Sequence, residues 1–221
     1  MKIGIDGVLL GSWINHPSPK NILDVGTGSG LIALMLAQKF QKSNIHCVEI
    51  ENDAIEQAVE NFKNSPFNNS FTAHKSDFLD YNSNVKFEII ASNLPYYNDG
   101  GVFDDHKRDL ARSSKHLPLM DFLNKSYDLL HDLGSIYFVY PNDDLIDIEK
   151  FANQTNLQID SIVNIQGNPN SKVKRCLFQL SKKTETSNSH CTDNKHLTIE
   201  IKRGEYTAEY KSLCRDFYLK F

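Results

Sequence analysis

A doubly wound α/β fold, a mostly parallel sheet with helices on both faces and an antiparallel hairpin at its edge, is what this 221-residue chain predicts. Three observations predict it. From Asn21 onward, short β-type runs alternate with helical patterns. The first run ends in a glycine-rich turn that opens into a helix, and two late runs are joined by Gly167-Asn168-Pro169-Asn170.

Asn21 to Val25 is the first strand, and Leu31 to Ala37, apolar on most sides, is a helix buried against the sheet. Ile45 to Ile50 is the second strand. Ile55, Ala58, Val59 and Phe62 recur at helical spacing, and that helix stops at Ser65-Pro66. Phe87 to Ser92 is a strong later strand, followed by an irregular stretch rich in Asp and Gly. Met120, Leu123, Tyr127 and Leu130 mark a helix, and Ser135 to Tyr140 a strand. Gln158 to Gln166 and Arg175 to Ser181 form the hairpin. Residues 182–195 are polar and read as a flexible loop. Leu197 to Ile201 is a short strand, and Tyr210, Leu213, Cys214, Phe217 and Tyr218 share one helical face. The chain is expected to be one domain, 1–221: an N-terminal segment 1–20, a core 21–181, the loop, and a C-terminal strand and helix over 196–221.

Composition bounds the function. An apolar fraction of 40%, with 13 Phe and 9 Tyr, supplies a core, and 24% charged residues is ordinary for a soluble surface. The longest apolar run, Leu31 to Ala37, is too short to cross a bilayer, and no basic-then-apolar leader opens the chain. Cys47, Cys176, Cys191 and Cys214 are widely separated with no CxxC pair, which argues against a disulfide framework or a zinc knuckle and for a reducing cytoplasm. The eight His show no ligand spacing, so no metal is expected. The net charge of −4 hides a division: residues 1–170 carry 13 basic against 22 acidic side chains, residues 171–221 carry 11 against 6. The basic end is where a polyanion can dock.

Asp24-Val25-Gly26-Thr27-Gly28-Ser29-Gly30, between a strand and a helix, places three glycines where backbone must approach a ligand closely. The alternative is a turn used only for tight packing. Gly28 to Ala33 also fits the G-x-G-x-x-A of dinucleotide folds, and Glu49, ending the second strand, sits where an acid binds ribose hydroxyls in either class. The motif alone leaves the cofactor open.

Asn93-Leu94-Pro95-Tyr96 follows the strand Phe87 to Ser92 at its C-terminal end, where open α/β sheets bind ligands, and no hydride transfer needs that tetrapeptide. The set D-x-G-x-G-x-G, an acid ending strand two and N-x-P-Y resembles the class I, Rossmann-like S-adenosylmethionine-dependent N-methyltransferases that modify planar amino groups. The ends narrow the resemblance. Met1-Lys2-Ile3-Gly4-Ile5-Asp6-Gly7-Val8-Leu9-Leu10-Gly11-Ser12-Trp13 is similar to the M-K-V-G-T-D-G-V-L-L-G-A-W segment of the bacterial valine-tRNA (adenine(37)-N6)-methyltransferase family, and Arg203-Gly204-Glu205-Tyr206-Thr207 with Leu213 to Leu219 resembles that family's closing element.

The resemblance implies a monomeric enzyme acting on tRNA, with S-adenosyl-L-methionine as donor. Asp24, Gly26, Thr27, Gly28 and Gly30 would form the cofactor turn and Glu49 would hold the ribose. Asp77 would meet the adenine, unless it is a helix cap. Asp6 would lie near the methionine end, with Asn93 close to both cofactor and substrate. The Asn93 side-chain oxygen and the Leu94 carbonyl can each accept one N–H of the target amine, while Pro95 stiffens the turn and Tyr96 stacks on the base. Two departures stand out: the family usually has N-P-P-Y, and it has a segment before its M-K-V-G-T-D, where this chain begins. Protein-glutamine N5-methylation and ribosomal-RNA adenine dimethylation are the competing reactions. Lys172, Lys174, Arg175, Lys182 and Lys183 around the hairpin are the phosphate candidates, with Arg112 after the N-x-P-Y loop a further one in a stretch of mixed charge.

Overall fold

The computed structural model describes residues 4–94, 117–184 and 193–220. Eight strands form one sheet: β1 (Asn21–Val25), β2 (Asn44–Glu49), β3 (Phe71–Lys75), β4 (Phe87–Ser92), β5 (Leu130–Pro141), β6 (Leu157–Gln166), β7 (Val173–Lys182) and β8 (Asp193–Thr198). Their order across the sheet is β3-β2-β1-β4-β5-β7-β6-β8. β1 to β5 run parallel, β7 runs antiparallel to both β5 and β6, and β8 lies parallel along the outside of β6. One edge of the sheet therefore gathers the C-terminal ends of β1 to β6 and β8 and the start of β7.

Alternation along the strands divides the core. Ile22, Ile45, Ile89, Ala91, Tyr137 and Leu177 face the side covered by α1 (Ile5–Trp13), α2 (Leu31–Lys39), α3 (Asn52–Asn64) and α6 (Ala208–Cys214). Their neighbours Leu23, Val48, Ile90, Ile136 and Phe178 face α4 (Leu119–Leu129) and α5 (Leu145–Gln154).

Most of the expected strands recur within a residue or two at most ends, although β5 starts five residues earlier than Ser135, directly where α4 stops, and the expected strand Leu197 to Ile201 is broken at Ile199, between the end of β8 and a separate short strand, Glu200–Lys202. The predicted C-terminal face is present, but α6 ends at Cys214 and gives way to a 3-10 turn, Arg215–Phe217. Strand covers Lys182 and Asp193 to Lys195 at the two ends of the expected loop, whose middle, 185–192, lies outside the described residues.

Residues 5–13 form a helix that no periodicity in the sequence marks. Two glycines in nine residues disfavour a helix by about 1 kcal/mol each, yet α1 is one, with Val8, Leu9 and Leu10 buried. Packing reverses the propensity. Gly7 and Gly11 share the face that crosses α2, where a Cβ on Gly11 would lie 2.8 Å from Met35 Sδ and one on Gly7 3.3 Å from Leu31 Cδ2. Lys39 Nζ donates to the last carbonyls of α1, Ser12 O at 2.7 Å among them, and to that of Ile14.

Candidate active site

The glycine turn is built by its own backbone. Gly26, Gly28 and Gly30 have φ of +67°, +56° and +86°, left-handed values that L side chains rarely adopt. The turn is tied to β2 through the Gly26 and Thr27 N–H groups, both donating to Val48 O at 2.8 and 3.2 Å. α3 supports it from behind. Asn61 Nδ2 donates to Ser29 O at 2.8 Å, and Phe62 packs so closely that a Cβ on Gly30 would lie 2.7 Å from its ring. On Gly26, by contrast, a Cβ would meet nothing within 4 Å, so open space lies on the exposed side of the turn.

Asp24 is only 1% exposed. Its Oδ2 accepts from Thr27 Oγ1 at 2.6 Å and from the Ala33 N–H at 3.1 Å, pinning the turn to the first turn of α2. Oδ1 is buried with no hydrogen-bond partner among the described residues. Asp24 thus holds the turn from beneath. Burial pushes its carboxyl up to about 6, against the pull of those two hydrogen bonds. A raised native value means the folded state keeps a proton that the unfolded chain gives up near 3.8, so the stability present below that pH is lost as pH rises toward 6. Relative to Asp24→Asn, the wild type should lose up to about 3 kcal/mol of unfolding free energy between pH 4 and 7. Urea denaturation of both proteins across that range checks it; parallel pH dependences would refute it.

Glu49, 8% exposed, is held by three backbone donors: Gly28 N–H reaches its Oε2 at 2.8 Å, and the Ile50 and Glu51 N–H groups its Oε1 at 2.9 and 3.0 Å. The Ser76 N–H donates to Glu49 O at 3.1 Å, which places Asp77 beside the end of β2. Asp77 is exposed, and its Oδ1 accepts from the Leu79 N–H at 2.9 Å, so the carboxylate caps the turn that follows β3. Asn93, exposed, is the first residue past β4, and the Ser92 hydroxyl donates to Val25 O at 2.9 Å, locking the end of β4 to the start of the glycine turn. A Cβ on Gly7 would lie 4.0 Å from Asn93 Nδ2, so α1 backs the asparagine. Leu94 is 2% exposed and anchors the loop in the core. Pro95, Tyr96 and Arg112 lie outside the described residues.

Strand order arranges these groups in a row: Asp77 after β3, Glu49 on β2, the glycine turn after β1, Asn93 after β4. At about 4.8 Å per strand the row spans about 14 Å. It suits an elongated ligand with hydroxyls near a fixed carboxylate and a reacting end at Asn93. Such a ligand fits the open space at Gly26 and the carboxylate of Glu49.

Asp6, in the first turn of α1, forms an ion pair with Arg175 at the start of β7, Nε to Oδ1 2.6 Å, with both side chains mostly buried. The sequence places these two residues in separate roles; the fold joins them. Arg175 is committed to α1, and Lys182 and Lys183, at the far end of β7, are committed to Asp132 and to the Ala152 and Thr155 carbonyls, whereas Lys172 and Lys174 are exposed on the same edge as Asn93. Asn61, Phe62 and Ser92 support the site without any motif to mark them; the only signal is the polar Asn61 beside an apolar helical stripe.

A family model described as the methyltransferase small domain matches residues 5–143. The tRNA1(Val) (adenine(37)-N6)-methyltransferase of Parabacteroides distasonis is 39% identical over all of this chain and 92% of its own length. That of Vibrio campbellii is 35% identical over all of this chain and 90% of its own length. Among solved structures, a predicted O-methyltransferase from Agrobacterium tumefaciens superimposes with a TM-score of 0.72 at 16% identity, covering 96% of each chain. The ribosomal protein L11 methylase of Lactobacillus delbrueckii subsp. bulgaricus gives 0.58 at 19% identity over 80% of this chain and 77% of its own.

Proposed function

The chain belongs to the methyltransferase small-domain family and to that of the tRNA1(Val) (adenine(37)-N6)-methyltransferases, and from that premise we propose that it methylates N6 of adenine 37 in a valine tRNA with S-adenosylmethionine as donor. The observation that carries this reading is the row along the sheet edge, which sets Asn93 next to the glycine turn on the neighbouring strand, Val25 pairing with Ser92. When bound, the donor supplies an electrophilic methyl group on a sulfonium.

The exocyclic amine of adenine is a weak nucleophile because its lone pair is delocalised into the ring. Asn93 Oδ1 and the Leu94 carbonyl each accept one amine hydrogen and favour a pyramidal nitrogen whose lone pair is no longer delocalised into the ring. The buried Leu94 side chain supports this by fixing the backbone that carries its carbonyl. Leu for Pro at this position changes the side chain and keeps the acceptor. The proton of the alkylated amine leaves to solvent, so the site needs no strong base. Pro95 and Tyr96 complete the grip by stiffening the loop and stacking on the base. An anticodon loop suits such a site because its bases are splayed at lower cost than those of a duplex.

The test is to incubate the protein with unmodified tRNA and donor and to map modified nucleosides by mass spectrometry. N6-methyladenosine at position 37 of valine tRNA is the expected product; methyl transfer to a protein glutamine, or none to any tRNA, overturns the reading. For the docking surface, Lys172→Glu with Lys174→Glu should weaken tRNA binding and lower the log–log salt slope by about 0.7–0.9 per lost contact. Filter binding across a salt series reads both, and cofactor affinity should stay unchanged.

A further inference from the structure

β9 (Glu200–Lys202) and β10 (Glu205–Tyr206) form a two-stranded hairpin of five strand residues, far too small to hold itself together in water. The fold clamps it in place. The Ile199 N–H donates to Gln166 O at 2.9 Å and the Glu200 N–H to Gly167 O at 3.0 Å, fastening its base to the end of β6 and the β6–β7 turn. Thr207, buried at its other end, donates through Oγ1 to Thr198 O at 2.6 Å and through its N–H to Ile199 O at 3.0 Å, while that same Oγ1 accepts from the Tyr210 N–H to cap α6. Four backbone and hydroxyl bonds thus hold a tip made of Lys202, Arg203 and Gly204, all exposed, with Gly204 at φ +81°.

Among the described residues, the tip presents one uncommitted cation. Lys202 Nζ is paired with Glu205 at 3.0 Å, and Glu200 Oε1 accepts from the Gly204 N–H at 3.4 Å. Arg203 has no ion-pair or hydrogen-bond partner among the described residues. Lys172 in the neighbouring β6–β7 turn and Lys174 at the start of β7 are equally exposed and equally without partners among the described residues. Both turns emerge from the sheet edge that bears Asn93. Lys172 and Lys174, at the start of β7, lie two strands from β4, about 10 Å away at about 4.8 Å per strand, and the β9–β10 hairpin follows β8, the strand four places from β4. The rest of the chain, 1–170, is net acidic and repels a polyanion.

We propose that the β9–β10 turn is a second phosphate-docking element, with Arg203 at its tip gripping the tRNA backbone beyond the contacts of Lys172 and Lys174. The inference rests on the tRNA reading above. A guanidinium suits this place because its planar fork takes two phosphate oxygens at once, and a clamped hairpin holds it without the entropy cost of a free loop. With the base at Asn93, the two turns set the direction in which the RNA backbone leaves the site.

Filter binding of tRNA to Arg203→Glu, Arg203→Lys, the Lys172→Glu/Lys174→Glu pair and Lys42→Glu, each across a salt series, tests it. Lys42 is exposed on the opposite edge of the sheet, just before β2, and controls for net charge. Arg203→Glu should weaken binding about tenfold and lower the salt slope by about 0.7–0.9, additively with the lysine pair, while Arg203→Lys keeps most of the slope. Circular dichroism and S-adenosylhomocysteine affinity should match wild type in all four. Wild-type affinity and slope in Arg203→Glu, with the lysine pair impaired, would overturn the proposal; so would an equal loss in Lys42→Glu. Failure of the wild type to bind any tRNA would instead sink the functional reading on which it stands.

Discussion

Asn93→Ala should slow methyl transfer by about 10²–10³-fold, the usual cost of removing one preorganised polar group from a reacting centre, while leaving donor affinity within a factor of a few. The separation follows from position. Asn93 is the exposed first residue beyond β4, and the glycine turn, Asp24 and Glu49 are held by bonds that do not involve it. Removing its side chain leaves those bonds intact and deletes one of two acceptors for the amine. Single-turnover rates with saturating donor, paired with calorimetric titration of S-adenosylhomocysteine, read the two effects independently. Leu94→Pro, which keeps the backbone carbonyl, should retain most of the rate. An Asn93→Ala protein with near-wild-type turnover would remove the amine grip from the mechanism.

What was legible in the sequence and what was not divide along a physical line. Strands β1, β2 and β4 could be read because a parallel sheet covered on both faces demands apolar runs, and β6 and β7 because the turn between them announces itself in Gly and Asn. The glycine turn was legible because left-handed φ excludes other residues. α1 was not: its helical state comes from Gly7 and Gly11 meeting α2, a contact that propensity scores only as a penalty. Charge and neighbourhood put Arg175 among the phosphate candidates, but a side chain's partner depends on which distant segment the fold brings to it, and here it is Asp6, 169 positions earlier. The motif marks Asp24, whereas its place beneath the turn shows only in its burial and its bonds to Thr27 and Ala33.

Gly28→Val should reduce donor affinity by at least about 100-fold, because two demands meet at one residue. Its φ of +56° lies where a β-branched side chain clashes with its own backbone, at about 1–2 kcal/mol or more. Its N–H also fixes Glu49 Oε2 at 2.8 Å, so relieving the clash by rotating the backbone releases the carboxylate proposed to hold the ribose. The neighbouring glycines separate binding from folding. Gly26→Ala carries the same kind of strain, yet its new methyl group enters open space where a ligand has to lie, so it should lose affinity with only about 1 kcal/mol of stability. Gly30→Ala drives a methyl group into the Phe62 ring at 2.7 Å and should lose stability first. Gly204→Ala, strained at φ +81° but at the tip of the β9–β10 turn, should leave donor binding untouched. Titration of S-adenosylhomocysteine and urea denaturation of the four variants give two orderings. If affinity simply tracked stability across the set, the turn would be a packing feature, and the donor site would have to be sought elsewhere on the sheet edge.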